Sequence, residues 1–191
     1  TNAGDFGPFP VRKRAFTSSW MRVGDPDSVG RRRSADSTTI YGTSCSDLLV
    51  GEDHKEAIKR FDGDDLMFGF GGGDILDGGP GNGTLNGGTD DNILDGESEN
   101  DALSHLGAKY EVITSLAVSG PQTTTPRGSS DGVANLENIV RSNFDDTLTG
   151  NDAVNRLSGL AGSDTLDGDA GNDVGNDVRA ADDVLSDTIG N

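Results

Sequence analysis

The sequence has 191 residues and a formal net charge of −18, with 15 basic against 33 acidic side chains. Hydrophobic residues make up 31%, aromatic residues 5%, and glycine fills 29 of the 191 positions, roughly twice its ordinary share of about 7%. Such a polyanion is a poor partner for nucleic acid, no apolar run approaches the roughly 20 residues of a membrane span, and large apolar side chains are too few for an ordinary enzyme core. Two classes remain: an acidic disordered chain, or a glycine-turned repeat held together by something cationic.

In chain order, residues 1–39 read as a flexible basic arm. Residues 1–40 carry seven basic and four acidic side chains, while the other 151 carry eight and 29. The arm holds Pro8, Pro10 and Pro26 among many Ser, Arg and Gly, with no helical or alternating apolar period. Its Arg31–Arg33 run is most simply a solvated basic stretch. No charged-then-apolar leader stands near the start, so export by an ordinary signal peptide is not expected. Cys45 is the one cysteine, which leaves no partner for a disulfide within this sequence.

From Ile40 a nine-residue period begins, and it sets the first block at 40–104. Asp47, Glu56, Asp65, Asp74, Gly83, Asn92 and Asp101 are spaced by nine. Two residues after each stands a large apolar residue: Leu49, Ile58, Met67, Leu76, Leu85, Leu94 and Leu103. Glycines open the units at Gly42, Gly51, Gly69, Gly78, Gly87 and Gly96. A spacer with short strands is expected over 105–136. The pattern then returns over 137–174, with Glu137, Asp146, Asn155, Asp164 and Asp173 followed by Ile139, Leu148, Leu157 and Leu166. Asp101 and Glu137 are 36 residues apart, a whole number of units, so the two blocks are in phase. Phase is lost at Gly175, where an apolar residue is due, and 175–191 reads as an irregular tail.

Nine residues suffice for one short strand and one tight turn. A three-residue strand points only its middle residue inward, which explains one apolar residue per unit. The turn needs backbone angles that glycine adopts without steric cost. Stacked units give an all-β parallel β-roll, a solenoid of two sheets with turns along both edges. Successive turns fall on opposite edges, so each turn meets the turn 18 residues away. Carboxylates repeated at that spacing form a ladder of like charges, whose repulsion a hard cation relieves. Ca²⁺ takes about 6–8 oxygens from carboxylates and carbonyls. One inward side chain per unit is too little to offset the entropy of ordering the chain, so metal binding is expected to be coupled to folding.

The units GFGGGDILD (69–77), GGTDDNILD (87–95) and GLAGSDTLD (159–167) resemble the RTX, or haemolysin-type, calcium-binding nonapeptide repeat. The resemblance covers about 42–104 and 132–174. It implies Ca²⁺ in the turns of a β-roll, export by type I secretion and folding outside the cell. Asp47, Asp65, Asp74, Asp146, Asp164 and Asp173 match the family's ligand aspartate, and Asn92 and Asn155 hold that place with a neutral oxygen. Carbonyls near Gly72, Gly88, Gly162 and Gly171 are expected to complete the sites. The preferred pairs are Asp74 with Asn92, Asp146 with Asp164 and Asn155 with Asp173, followed by Asp47 with Asp65. Several residues depart from the pattern: Gly83 removes a carboxylate, Cys45 replaces a turn glycine, and Glu56 is one carbon too long. Lys59 and Arg60 enter a unit that is normally glycine-led.

The leading functional expectation is a non-catalytic, Ca²⁺-binding module of a secreted, extracellular bacterial protein. The alternatives are the C-terminal repeat region of a secreted protease, lipase or alginate-modifying enzyme, a surface adhesin fragment, or a degraded repeat. His54 and His105 belong to no HExxH-like run, and no GxSxG elbow occurs. Acidic pairs such as Asp145–Asp146 recur with the repeat, which favours ligation over acid–base catalysis.

Overall fold

The computed structural model describes residues 32–33, 39–124, 129–140, 142–177 and 184–186. The basic arm therefore lies outside the described residues, apart from Arg32–Arg33 and Thr39, as does most of the tail after residue 177. Among the described residues there are eighteen strands and no helix. The first nine are β1 (Arg32–Arg33), β2 (Thr39–Tyr41), β3 (Leu48–Val50), β4 (Ala57–Lys59), β5 (Leu66–Phe68), β6 (Ile75–Asp77), β7 (Thr84–Asn86), β8 (Ile93–Asp95) and β9 (Ala102–Ser104). From β2 to β9 every strand has three residues and starts nine after the one before.

The strands alternate between two sheets, and each pairs in parallel with the strand one full coil away. On one face Ile40, Ile58, Leu76 and Leu94 stand in register, and on the other Leu49, Met67, Leu85 and Leu103. These middle residues are the core, none more than 2% exposed, while their strand neighbours sit mostly at the surface. The backbone ladder continues into the turns, where Gly51 N–H donates to Phe68 O (2.7 Å) and Gly69 N–H to Asn86 O (2.8 Å). Each coil thus satisfies its own amides on the next, as a buried backbone requires. β1 closes one end by pairing antiparallel with β2.

The spacer contributes β10 (Ile113–Ser115), β11 (Gly120–Thr123) and β12 (Ser130–Ala134). The second block follows with β13 (Asn138–Val140), β14 (Thr147–Thr149), β15 (Arg156–Leu160), β16 (Thr165–Asp167), β17 (Val174–Asp177) and β18 (Val184–Ser186). β13 pairs directly with β9, Ile139 opposite Leu103, so the odd-strand sheet runs unbroken from β3 to β17. The other face is divided. β12 extends the first sheet, with Val133 opposite Leu94, and β11 folds back on β12. β10 instead pairs with β14 and starts a separate sheet continued by β16 and β18. Each block keeps its own core cluster, and Leu116 packs against both.

The slip at Gly175 has a structural form. Gly175 stands opposite Leu157 in the inward column, and the β15–β17 register shifts after Ser158. Leu166 pairs with Leu185, 19 residues on rather than 18, so one residue has been inserted into that coil.

Candidate metal centre

The acidic residue of each unit stands just before its strand, and its side chain turns back into the roll. At six of these positions it accepts the backbone N–H of the equivalent residue on the neighbouring coil, whereas Asp47 and Glu56 accept within their own turns. Asp65 Oδ1 accepts from Asp47 N at 2.6 Å, Asp74 Oδ1 from Glu56 N at 2.8 Å, and Asp101 Oδ1 from Gly83 N at 2.7 Å. In the second block Asp164 Oδ1 accepts from Asp146 N and Asp173 Oδ1 from Asn155 N, both at 2.8 Å. Glu137 Oε2 accepts from Asp101 N at 2.8 Å, carrying the ladder across the 36-residue step between blocks. One oxygen of each carboxylate is thus spent on the backbone, which is what permits its burial.

The second oxygen is what makes these turns candidate metal sites. Asp74 Oδ2 and Asp173 Oδ2 are buried and make no hydrogen bond. A methyl carbon on Gly69 would lie 2.5 Å from Gly87 O and would also collide with Asp74 Oδ2. The bare glycine therefore keeps open a space that a carboxylate oxygen and a carbonyl oxygen both face. Gly168 does the same beside Asp173 Oδ2 at 2.5 Å, and Gly171 beside Asp173 Oδ1 and Ala153 O at 2.8 and 2.5 Å. Burial pushes the carboxyl groups of Asp74 and Asp101 up to about 6, against backbone hydrogen bonds that pull the other way. Burial likewise raises Asp65 and Asp131. Buried acids with an unused oxygen, set among carbonyl oxygens, fit a hard divalent cation such as Ca²⁺, which gathers all-oxygen shells.

The other expected ligands are placed less uniformly. Asp47 Oδ2 accepts from Thr43 N (2.5 Å) and Thr43 Oγ1 (2.8 Å), and Asp146 Oδ2 accepts from Ser142 Oγ (2.8 Å). At these two turns a hydroxyl already takes the second oxygen. Asn92 Oδ1 accepts from Asp74 N at 2.9 Å, which leaves its amide nitrogen to donate to Asp131 Oδ1 (3.0 Å) and Asp90 O (3.0 Å). Where Asp74 turns an oxygen toward Gly69, Asn92 turns Nδ2 toward Gly87, 2.7 Å from where a methyl carbon would sit. Asn155 Oδ1 accepts from Asn151 N at 2.7 Å, while its Nδ2 donates to Glu137 O at 2.8 Å. Gly88 has φ +89°, and any side chain there would strike Phe70 O on the adjacent coil. Gly72 and Gly162 stack in the same way on His54 and Phe144.

Other residues join this chemistry without having been expected as ligands. Asp101 and Glu137 stand in the nine-residue series and were legible from it. Asp131 occupies the ladder position next to Asn92, but 39 residues away, so no period could find it. Its Oδ2 accepts from Thr124 Oγ1 at 2.8 Å. At the 51–56 turn Glu52, His54 and Glu56 converge, with ligand atoms within 4.8 Å of one another and His54 Nε2 2.8 Å from Glu56 Oε1. The Arg60 guanidinium is wholly buried at the Asp65–Gly83–Asp101 turn, with Nη2 2.7 Å from Asp101 Oδ1 and Nη1 3.8 Å from Asp65 Oδ2.

A family model for the RTX calcium-binding nonapeptide repeat, present in four copies, matches residues 62–85, 77–105 and 142–174. The matched stretches contain Asp65, Asp74, Asn92, Asp101, Asp146, Asp164 and Asp173. They omit the 51–56 turn, where His54 and Glu56 stand, and Arg60. No curated protein matched the chain. Period, register and turn chemistry agree with that match over 62–105 and 142–174, and the described residues form an all-strand parallel β-roll consistent with RTX calcium-binding nonapeptide repeats.

Proposed function

We propose that this chain is a non-catalytic Ca²⁺-binding module of a secreted protein, folding when it meets Ca²⁺ outside the cell. The observation that carries the reading is Asp74: a buried carboxylate, raised to about 6, with one oxygen unused beside a glycine gap and a carbonyl. Asp164 and Asp173 stand in the corresponding ladder positions of the second block. Ca²⁺ supplies the positive charge that lets these carboxylates ionise inside the roll. The chain's own residues fix the geometry, since each backbone N–H holds one carboxylate oxygen and so aims the other.

A Kd of about 10⁻⁴–10⁻³ M, typical of extracellular modules, leaves such sites empty at the low Ca²⁺ of a cell interior and fills them outside. Export through type I secretion suits a chain that stays unfolded until then, and RTX repeats typically occur in secreted proteins. No helix of the described residues is long and apolar enough to cross a membrane. The test is isothermal titration of the full chain with Ca²⁺ and, separately, Mg²⁺. Binding of several Ca²⁺ with proton release and no comparable Mg²⁺ response supports the reading. Absence of Ca²⁺ binding at about 10 mM, well above the expected Kd, overturns it.

A further inference from the structure

Glycines open successive units at 42, 51, 69, 78, 87 and 96, and the one missing member of that series, position 60, is arginine. The ladder on the edge that Arg60 reaches runs Asp47, Asp65, Gly83, Asp101, and its one missing carboxylate is at Gly83. These two departures from the repeat meet in space. A methyl carbon on Gly83 would lie 2.8 Å from Arg60 Cζ, so an aspartate at 83 would force the guanidinium out of the place it holds.

The surroundings of the guanidinium are those expected of a metal ion. Nη1 donates to Gly63 O at 2.7 Å. Nη2 donates to Gly81 O at 2.7 Å, Gly79 O at 3.2 Å and Asp101 Oδ1 at 2.7 Å. Asp65 Oδ2 is 3.8 Å from Nη1, and the Arg60, Asp65 and Asp101 side chains are all fully buried. Turn carbonyls and two ladder carboxylates thus converge on a cation the chain carries itself. Only Nε makes no hydrogen bond. The planar fork of Arg suits this task, because it offers several fixed donors and stays charged when buried.

We propose that Arg60 is a built-in replacement for a metal ion at the Asp65–Gly83–Asp101 turn, and that this stretch of the roll closes without Ca²⁺. The coils of β5, β7 and β9 then form a metal-independent seed onto which the Ca²⁺-requiring turns are added. The seeding role rests on the calcium reading of those other turns; the replacement itself does not.

The test is hydrogen exchange on the full chain in a chelator and in Ca²⁺. In the chelator, wild-type amides of β5, β7 and β9 should exchange at least tenfold more slowly than those of β14 and β16. Arg60→Gln leaves two buried carboxylates uncompensated, and protection of β5 and β9 in the chelator should fall about a hundredfold. Because disorder of the region in Arg60→Gln would give the same loss, the deciding variant is Arg60→Gly with Gly83→Asp, which restores the regular unit. That protein should lose protection in the chelator, regain it with Ca²⁺, and bind one more Ca²⁺ than wild type. Equal exchange of all strands in the chelator, unchanged protection in Arg60→Gln, or a double variant that Ca²⁺ fails to restore would each overturn the proposal. If wild type binds no Ca²⁺ at all, the calcium reading fails, and the comparison of wild type with Arg60→Gln in chelator still decides whether Arg60 closes its turn.

Discussion

Asp74 shows at the scale of one residue why a repeat of this kind needs a cation. Its carboxyl titrates at about 6 rather than 3.8 because burial disfavours the ionised form. Asp101 stands at about 6 for the same reason, although Arg60 opposes the rise. Between those values the metal-free roll binds more protons than the unfolded chain, so its stability falls as pH rises from about 4 through 6. Lowering the pH from 7 to 5 without Ca²⁺ should therefore increase the β signal in circular dichroism, and an unchanged or smaller signal at pH 5 would contradict this. Ca²⁺ competes for the same oxygens, so its affinity should weaken as pH drops through 6. Asp74→Asn keeps an acceptor for Glu56 N–H while removing the charge. It should cost one Ca²⁺ site in a titration, as should Gly69→Ala, whose methyl fills the gap beside Asp74 Oδ2. Asp77→Asn, in a half-buried surface pair with Lys59, should leave Ca²⁺ binding unchanged.

At the scale of the element, each strand contributes one core side chain. Leu85 is fully buried between Met67 and Leu103 in its column. Leu85→Ala should destabilise the Ca²⁺-loaded roll by about 2–5 kcal/mol, read as a lower denaturant midpoint. Leu106→Ala, at a position 56% exposed, should stay within about 0.5 kcal/mol of wild type. The columns were legible in the sequence because strand period and coil length are both fixed by local geometry. Every apolar residue of the nine-residue series, from Ile40 to Leu103 and from Ile139 to Leu166, lies in the core. The in-phase step from Asp101 to Glu137 turned out to be literal stacking of β13 on β9. What the period hid was the spacer. Its steps of 39 residues (Leu94 to Val133) and 34 (Thr114 to Leu148) carry no repeat, and they are set by how the hairpin of β11 and β12 closes over one block. Asp131 was missed on that account. The partners of Asp47 and Asp146 were missed for another reason: a hydroxyl four residues upstream is invisible until the turn brings it back.

For the whole molecule, a chain with a net charge of −18 stacks its coils around two small cores, each strand adding one inward side chain. One sheet runs through both blocks while the opposite face is divided, so the blocks share a ladder and keep separate cores. Stability in such a stack is a sum of coils and their interfaces, and each interface here is a turn whose carboxylates need a counter-charge. On the proposed calcium reading that charge comes from outside at turns such as those of Asp74 and Asp173, and at one it comes from Arg60. The glycine and aspartate spacing made the first kind legible. The second was legible only as two separate departures, Arg60 and Gly83, until the structure brought them to 2.8 Å. Far-UV circular dichroism of the full chain, titrated with Ca²⁺ from a chelator up to about 10 mM with Mg²⁺ as control, tests the central claim most directly. A weak β signal in chelator that rises cooperatively with Ca²⁺, and not with Mg²⁺, is the predicted result. A spectrum that stays the same across the whole Ca²⁺ range would contradict it.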